Sequence, residues 1–435
     1  YKTAPLDGFR RLQESGTIEI ISSAATHGYL PLLGRDEMIA AQVQTGVASY
    51  RRHFRRAPRG IWLPECAYRP AGPWSRPTGP ARSWQRPGLQ DFLTRNGLRY
   101  FFVDTHLVAG GVPLGTYEDR VPFQRLDATS PARSASPHDV HALGSPPPGP
   151  SVAVFARDPR SSVQVWSADY GYPGDGAYLE FHRKKGQDGL RYWRITDRRL
   201  PLEAKIRYVP EDAEARVRAH VDHFVGIVRE TLRAHRDSTG RPGVVVAPFD
   251  TELFGHWWHE GPRWLDGVLR ALTGDVRAVT ASGFLDAHPQ RSFVTLPEGS
   301  WGQGGHHWLW LNDDTRWVWD LVYRAEDAFQ EALHSVGAHP PALVERVLRQ
   351  LARELLLLES SDWPFLITTV AARDYAEARV REHYAGFQRL LGIVKRLRTA
   401  SISPDDAGWL ASIAALDSPF PDLNLAGWSE GAIGP

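Results

Sequence analysis

The sequence predicts an α/β domain built on a parallel barrel or sheet, followed by a helical C-terminal domain. Short apolar runs alternate with helical periodicity up to about residue 295, and only helical periodicity continues beyond it. Three apolar runs lead to an acidic residue: Glu65, Asp104 and Asp250. Because β/α barrels carry their chemistry at the C-terminal ends of the strands, these three positions are the first candidates for a site.

The predicted strands are short, and the predicted helices show apolar residues at helical spacing. The strands cover residues 17–21, 60–63, 99–103, 152–157, 163–166, 243–247 and 276–280. The helices cover residues 36–54, 89–96, 210–236, 264–272, 314–333, 340–359, 373–397 and 404–415. Residues 71–88, rich in Pro, Gly and Arg, should be irregular. Residues 112–150 contain eight prolines and no periodic element, which indicates a lid or an insertion.

Composition excludes several classes of protein. The chain has 435 residues, too many for one simple core, and its net charge of +1 without a basic run argues against nucleic-acid binding. A single cysteine, Cys66, excludes a disulfide framework and is typical of a reducing compartment, so we expect a cytoplasmic protein. No apolar stretch approaches membrane-spanning length, and the N-terminus does not resemble a signal peptide. The sequence does not determine the oligomeric state.

Two carboxylates occur in matching apolar and aromatic settings. Glu65 lies in Gly-Ile-Trp-Leu-Pro-Glu-Cys-Ala-Tyr, and Asp250 lies in Val-Ala-Pro-Phe-Asp-Thr-Glu-Leu-Phe. Two such carboxyl groups suggest acid/base or covalent chemistry on a sugar. Sixteen tryptophans agree with this reading, because flat amphipathic rings suit the C–H faces of sugars. The alternative for Glu65 is a structural ion pair with an arginine such as Arg69.

Other motifs give weaker signals. His27, in Ala-Thr-His-Gly-Tyr, could donate a hydrogen bond to a sugar hydroxyl or be structural. His256 and His259, in His-Trp-Trp-His-Glu, do not match the His-Glu-x-x-His zinc signature, so we expect no metal site. Residues 302–305 (GQGG) lack the Lys-Ser/Thr of a phosphate loop and should form a tight turn beside Trp301. Serine or cysteine hydrolysis is disfavoured, because the chain has no Gly-x-Ser-x-Gly motif and Cys66 has no evident His partner.

Taken together, the segments resemble glycoside hydrolase family 57 and, within it, the 1,4-α-glucan branching enzymes. The stretches GIWLPECAYRP and APFDTELFGHWW look like the family's nucleophile and acid/base motifs. The resemblance implies that Glu65 is the nucleophile, that Asp250 is the general acid/base and that His27 lines the donor subsite. It also implies a mobile loop with a tyrosine over the site, a position that Tyr117 fits. The further residues predicted to bind substrate are Trp62, Asp104, Trp166, Trp301, Trp310, Asp362 and Trp363.

The resemblance also implies a domain organisation. Residues 1–16 would be the tail of an inserted helical segment, 17–294 a (β/α)7 barrel, and 295–435 a helical domain that helps to wall the cleft. The family's opening His-x-His-x-Pro motif is absent, so we expect this chain to lack the first barrel strand. His306 stands where the late motif usually has an acid, and the lid at about 112–150 is longer than expected.

The function implied is branching of α-1,4-glucans such as amylose or glycogen, with no metal or organic cofactor because two carboxylates suffice. Three alternatives remain open. A 4-α-glucanotransferase or an α-amylase-like hydrolase of the same family would use the same pair. A non-catalytic glucan-binding protein is the rival from another class. A metal-dependent deacetylase on a similar barrel would need an Asp-His-His cluster, which the sequence does not show.

Overall fold

The computed structural model describes residues 5–429, apart from residues 80, 111–134, 145–150, 168, 188, 289–291 and 338. An α/β half comes first and a helical half follows, as the sequence predicts. Tyr117 and most of the predicted lid lie outside the described residues. Within those residues, no helix combines the length and the apolar character needed to cross a membrane.

The α/β half contains six described strands and eight described helices. The strands are β1 (Gly60–Ile61), β2 (Gly72–Ser75), β3 (Ser83–Arg86), β4 (Tyr100–Val103), β5 (His141–Gly144) and β6 (Ser151–Ala156). The helices are α1 (Pro5–Glu14), α2 (Asp36–Phe54), α3 (Leu89–Arg95), α4 (Thr105–Ala109), α5 (Pro159–Trp166), α6 (Pro210–Thr239), α7 (Gly261–Ala271) and α8 (Ala281–Ala287).

A sheet in the order β1-β4-β6-β5 forms the centre of this half. Strands β1, β4 and β6 are parallel, and β5 pairs with β6 in the antiparallel direction. Nearly all residues of these strands are buried, as expected for a sheet that is covered on both faces. The predicted strands at 60–63, 99–103 and 152–157 are confirmed, whereas β5 lies in a segment predicted to be irregular.

Residues 17–21 form no strand, so that prediction was wrong. Only Ser22 pairs with the sheet, through an isolated parallel bridge to Ile61. The reason is that side chains take the backbone groups of this segment. Gln13 accepts the N–H of Ile20 at 2.9 Å, and the Tyr50 hydroxyl donates to the Ile20 carbonyl at 2.9 Å.

Residues 243–247 and 276–280 also form no strand. The first segment is extended and makes isolated backbone bonds instead of a ladder: Val244 N–H donates to His138 O, and Asp158 N–H donates to Val246 O. The second is largely exposed, and none of the described strands pairs with it. The bond between Asp158 and Val246 still places the first segment beside the C-terminal end of β6, where Asp250 follows.

Two other local predictions were wrong for reasons of turn and cap chemistry. Residues 71–88 contain the hairpin β2–β3, in which Trp74 pairs with Trp84 and Arg86 lies 4.5 Å from the Trp74 ring centre. Residues 163–166 end helix α5 instead of forming a strand. Asp158 caps that helix by accepting the Ser161 N–H at 2.7 Å, with a proline at its first position.

The helical half confirms the four predicted helices and adds a short one. They are α9 (Arg316–Val336), α10 (Ala342–Leu358), α11 (Asp362–Thr369), α12 (Arg373–Arg396) and α13 (Pro404–Leu416). A continuous hydrophobic core joins this half to α2 and the sheet, with Ile39 and Phe101 in the same cluster as Val322 and Leu355. The helical half therefore shares one hydrophobic core with α2 and the sheet, while the boundaries at 16/17 and 294/295 stay predictions.

Two buried carboxyl groups lie at this junction. Glu326 on α9 is fully buried and accepts the Gly34 N–H at 3.0 Å, and Glu359 accepts from Gln42 Nε2 at 2.7 Å. One oxygen of each, Glu326 Oε2 and Glu359 Oε1, has no hydrogen-bond partner among the described residues. Burial raises the pKa of both groups, that of Glu326 to about 8, and the charge of Glu326 raises that of Glu359 further. The junction therefore favours protonated carboxyls at neutral pH.

Replacing Glu326 with Gln is expected to stabilise the fold by an amount that grows with pH. The unfolded chain loses this proton near its ordinary pKa of 4.5, whereas the folded chain keeps it to about pH 8. Between these values the free energy of unfolding of the parent therefore falls by about 1.4 kcal/mol per pH unit through this group. Melting temperatures measured from about pH 5 to about pH 8 test this expectation. Glu331→Gln, on the exposed face of α9, is the control. A difference in melting temperature between E326Q and the parent that does not change with pH would contradict the prediction.

Candidate active site

Glu65 follows β1 at the C-terminal end of the sheet, in a short 3-10 turn from Pro64 to Cys66. Its backbone is left-handed, with φ 62° and ψ 25°, and the next residue has φ 50°. Residues with a Cβ rarely adopt this region, so two in succession must be held by their surroundings. Part of that restraint is the Trp301 N–H, which donates to the Glu65 carbonyl at 3.1 Å. The turn aims the Glu65 side chain at the junction between the two halves.

Both oxygens of the Glu65 carboxylate are held. Trp301 Nε1 donates to Oε2 at 2.8 Å, and the Ser361 hydroxyl lies 3.2 Å from Oε1. His27 Nδ1 is 3.9 Å from Oε1 and 2.8 Å from Ser361 Oγ. Arg69 does not pair with Glu65, because its guanidinium donates to the carbonyls of Pro70 and Pro87. The alternative of a structural ion pair with Arg69 is therefore wrong.

Asp250 ends the extended segment beside β6 and precedes a 3-10 turn from Thr251 to Leu253. Its side chain is half-buried, and the adjacent Phe249 packs against Trp166, with 6.4 Å between ring centres. The charges of Glu65 and His27 both act on Asp250. The structure thus brings Glu65, Asp250 and His27, predicted from three distant segments, into one electrostatic site.

Both carboxyls have raised pKa values. Burial raises the pKa of Glu65 to about 7 against hydrogen bonds from Trp301 and Ser361, and the charge of Asp362 adds to the rise. Burial also raises the pKa of Asp250 to about 6, helped by the charges of Glu65 and Glu252. The empty cleft therefore favours the proton on Glu65, the more deeply buried of the two. The pair as a whole holds one proton between about pH 6 and about pH 7.

This pair predicts a narrow bell-shaped dependence of kcat/KM on pH, with its maximum between about 6 and about 7. Below the lower value both carboxyls are protonated, so the nucleophile is lost. Above the upper value both are ionised, so the acid is lost. Initial rates on amylose at low substrate concentration measure the profile. A plateau extending two pH units beyond either limb would contradict this assignment.

Asp104 was predicted to bind substrate, but in the structure it instead holds another residue of the site in place. Its side chain is completely buried, so it cannot touch a glucan directly. It accepts from Arg157 Nε at 3.0 Å and from Nη2 at 2.7 Å, and the guanidinium carbon of Arg157 lies 5.9 Å from the Trp301 ring centre. Asp104 therefore holds Arg157 against the tryptophan that bonds Glu65.

The predicted tryptophans occupy different depths. Trp62 and Trp301 are half-buried and meet edge to face, with ring centres 5.0 Å apart, so both keep surface for a sugar. Trp310 is buried and stacks on Tyr29 at 4.4 Å, and its indole N–H has no hydrogen-bond partner among the described residues. Tyr29 is fixed in turn by His307, whose Nδ1 lies 2.8 Å from the Tyr29 hydroxyl oxygen. Trp310 is thus packed into the wall of the site and does not offer an open face to a sugar.

The helical half contributes Ser361, Asp362 and Trp363. Asp362 is exposed, and its charge acts on Glu65 and His27. Trp363 is turned towards its own half, because its indole N–H donates to the Leu357 carbonyl at 2.7 Å. Ser361, which hydrogen-bonds Glu65, was missed by sequence reasoning although both following residues were predicted. No local signal marks that serine, because its role depends on a contact across 296 residues of chain.

One group of candidate metal ligands converges in the described part of the chain: Glu354, His383 and Asp417. Arg379 Nη2 donates to His383 Nε2 at 2.9 Å, which places the histidine proton on Nδ1, 2.9 Å from Glu354 Oε2. A metal on Nδ1 would have to displace this proton beside a guanidinium, so the group is better described as an internal ion-pair network. His256 instead packs against Phe181, with 5.1 Å between ring centres.

Sequence comparison gives matches over most of the chain. The model for glycosyl hydrolase family 57 matches residues 2–297, and that for the C-terminal region of 1,4-alpha-glucan branching enzymes matches residues 321–428. A 1,4-alpha-glucan branching enzyme of Thermococcus kodakarensis is 46% identical over 94% of this chain and 59% of its own length. A probable 1,4-alpha-glucan branching enzyme of Mycobacterium tuberculosis is 33% identical over 92% of this chain and 68% of its own length. The chain thus spans about three fifths to two thirds of these relatives.

Solved structures agree. The family 57 branching enzyme of Thermococcus kodakaraensis, in complex with glucose, has a TM-score of 0.89 at 43% identity, covering 98% of this chain and 75% of that one. The branching enzyme of Pyrococcus horikoshii gives 0.85 at 41% identity, covering 98% and 74%. The α-amylase AmyC of Thermotoga maritima gives 0.73 at 32% identity, covering 96% and 74%. These likenesses confirm the predicted fold class, a (β/α)7-type barrel domain with a helical C-terminal domain.

Proposed function

The chain belongs to glycosyl hydrolase family 57, and we propose that it is a 1,4-α-glucan branching enzyme acting by a retaining mechanism. The observation that carries this proposal is the convergence of Glu65 and Asp250 in one site, where Trp301 and Ser361 hold the Glu65 carboxyl and its charge raises the pKa of Asp250. Retaining glycosidases need one ionised and one protonated carboxyl on opposite sides of the same bond. Membership of the family and the named branching enzymes among the relatives support the choice of glucan as substrate.

The first step cleaves an α-1,4 bond. Asp250 gives its proton to the glycosidic oxygen, and a Glu65 carboxylate oxygen attacks the anomeric carbon from the opposite face. The C1–O bond to the leaving chain breaks, and that chain departs with a free 4-hydroxyl. The products of the step are an ester between C1 and Glu65, with inverted configuration, and an ionised Asp250.

The second step makes the branch. Asp250 accepts the proton of a 6-hydroxyl on an acceptor chain, and the freed oxygen attacks C1 of the ester. The bond to Glu65 breaks, which regenerates its carboxylate, and the second inversion restores the α configuration. Water in place of the 6-hydroxyl would give hydrolysis. In this proposal the aromatic faces of Trp62, Trp301 and Trp166, whose rings contact other aromatic residues of the site, hold sugars and displace that water.

The proton order of the empty cleft must change before the first step. A glucan lying on the half-exposed Asp250 removes its remaining water and raises its pKa. Glu65 is already buried, and two hydrogen bonds stabilise its ionised form. Substrate binding is therefore expected to move the shared proton from Glu65 to Asp250.

An α-amylase-like hydrolase is the second candidate, favoured by the likeness to the α-amylase AmyC. The carboxyl pair would be the same, and only the acceptor of the second step would differ. A 4-α-glucanotransferase would likewise differ in transferring to a 4-hydroxyl. Branching is preferred because the residues 321–428 match the C-terminal region of branching enzymes.

Product linkage distinguishes these candidates. The 435-residue chain is incubated with amylose, and the products are digested with a debranching enzyme specific for α-1,6 bonds. Branching predicts new short chains after debranching, without a matching rise in reducing ends before it. New reducing ends alone would indicate hydrolysis, and redistributed linear chains would indicate 4-α-glucanotransfer. Amylose binding without any turnover would overturn the enzymatic proposal in favour of a glucan-binding protein.

A further inference from the structure

The Ser361 hydroxyl lies between the nucleophile and His27. Its Oγ is 3.2 Å from Glu65 Oε1 and 2.8 Å from His27 Nδ1, and the residue is fully buried. The main chain fixes the same contact, because Ser361 N–H donates to the His27 carbonyl at 3.1 Å and Ser360 pairs with Gly28. A loop of the helical half is thus fastened to the His27 loop through both backbone and side chain.

Ser361 is also the N-cap residue of α11, yet its hydroxyl makes no capping hydrogen bond. A serine at this position normally accepts an N–H from the first turn, which stabilises a helix by about 1 kcal/mol. Here the hydroxyl is directed at Glu65 and His27 instead. The orientation indicates that this side chain serves the site and not the helix.

The available protons restrict how the three groups can bond. A serine hydroxyl has one proton, and an ionised carboxylate can only accept. With Glu65 ionised, the Ser361 proton must point at Oε1, so the bond between His27 and Ser361 must use a proton on Nδ1. Burial lowers the pKa of His27, which keeps its ring neutral near pH 7. The outer nitrogen, Nε2, then carries a lone pair.

With Glu65 protonated, the same three groups bond in the reverse direction. The carboxyl O–H donates to Ser361, Ser361 donates to His27 Nδ1, and the imidazole proton moves to Nε2. The outer face of His27 is therefore a hydrogen-bond acceptor in one state of Glu65 and a donor in the other. That face is the open one, since the His27 side chain is 36% exposed.

We propose that Ser361 is a positioning residue that couples the ionisation of Glu65 to the tautomer of His27. His27 Nε2 then accepts a hydrogen bond from a glucan hydroxyl only while Glu65 is ionised and able to attack. This inference rests on the function proposed above. It adds that the hydrogen bonding of His27 to substrate changes with the ionisation of Glu65. Other charges also act on Glu65 and His27. The charge of Asp362 acts on both, and that of Asp250 acts on His27. Glu252 acts in turn on Asp250.

Kinetics of Ser361→Ala and Ser361→Thr in the full chain test the proposal. Loss of a hydrogen bond to a charged group predicts a fall in kcat/KM on amylose of about tenfold or more in S361A. The acidic limb of its kcat should move to higher pH, because in the substrate complex this limb reports Glu65, whose ionised form the hydroxyl stabilises. S361T keeps a hydroxyl, so it should recover most of the rate, and its acidic limb should lie at the same pH as in the parent. The matched control is S360A, one residue earlier, which should retain the parental profile.

Two further readouts separate coupling from a general structural role. In a His27→Ala background, S361A should cost much less than in the parent, because the two residues act as one unit. Nitrogen-15 spectra of the histidines, with H27Q to assign the His27 signals, should show its tautomer changing as Glu65 titrates in the parent but not in S361A. If S361A fails to fold, S361T against S360A and the spectrum of the parent still decide the question.

Parental kinetics and an unchanged acidic limb in S361A, or a His27 tautomer that ignores the Glu65 titration, would overturn the coupling. Additive losses in the double variant would do the same. These failures differ from failure of the proposed function, in which the parent chain itself would not act on amylose. A parent that hydrolyses amylose but does not branch it leaves the test valid, because both reactions share the Glu65 step.

Discussion

The Glu65→Gln variant is expected to cleave α-1,4 bonds roughly ten-thousand-fold more slowly than the parent chain, or worse. A glutamine amide cannot form the ester at C1, so the first step loses its nucleophile. The fold, by contrast, should gain. Since burial raises the pKa of Glu65 to about 7, its ionisation is costly in the folded state, and the neutral amide avoids this cost. The expected gain in free energy of unfolding at neutral pH is up to about 3 kcal/mol.

Measuring activity and stability together distinguishes a catalytic role of Glu65 from a structural one. A carboxylate held in a structural ion pair would lose stability on replacement, whereas a catalytic one whose ionisation is opposed by burial should lose activity and gain stability. The measurements are initial rates on amylose and melting temperatures at several pH values. The gain should vanish below the ordinary pKa of a glutamate, where both states are protonated. Retained activity, or a lower melting temperature at neutral pH, would remove Glu65 from the role of nucleophile.

A companion variant, Glu65→Ala, tests the geometry of the same step. Its smaller side chain leaves room for azide, which can attack C1 directly from the face where Glu65 lies. The product expected is a β-glycosyl azide, with configuration opposite to that of the substrate. An α-glycosyl azide from this variant would mean that another group still forms the covalent intermediate.

The main residues of the candidate site could be found from sequence because each lies in its own local motif, while their chemical roles stay predictions. Glu65 and Asp250 are each flanked by apolar and aromatic residues, and that setting is visible in the chain itself. Their proton order was not predictable. It depends on how deeply each carboxyl is buried and on the helical half, from which Ser361 bonds Glu65 and the charge of Asp362 raises the Glu65 pKa.

Fold prediction failed where side chains replace main-chain partners. The run at 17–21 has strand composition, but Gln13 and Tyr50 bond its backbone from outside any sheet. The run at 163–166 has strand composition too, but the Asp158 cap five residues earlier starts a helix. Asp104 ends a strand as predicted, yet a strand end does not show which way the side chain points. In this structure it turns inward to Arg157.

The Asp250→Asn variant is the second change with a large expected effect. Its rate on amylose should fall roughly a thousand-fold or more, because without a proton donor the leaving group is a sugar alkoxide, which is a poor leaving group. A substrate such as α-maltosyl fluoride needs no such proton, so formation of its ester with Glu65 should be largely preserved. Azide should then react with that ester to give an α-glycosyl azide, opposite to the product of Glu65→Ala. Equal losses on amylose and the fluoride would contradict the acid role.

The pH dependence of the parent and of the Glu252→Gln variant tests the role of Asp250 further, because the direction of each change in pH profile can be predicted. If a bound glucan raises the pKa of Asp250, the alkaline limb of kcat should lie at higher pH than that of kcat/KM, since kcat reports the complex. Glu252→Gln removes a charge that raises the pKa of Asp250, so it should move the alkaline limb of kcat, which reports Asp250 in the complex, to lower pH while keeping most of the activity. Asp250→Asn should abolish that limb. An alkaline limb that survives in D250N would assign the acid to another group, because Asp250 is the carboxyl whose proton the first step consumes.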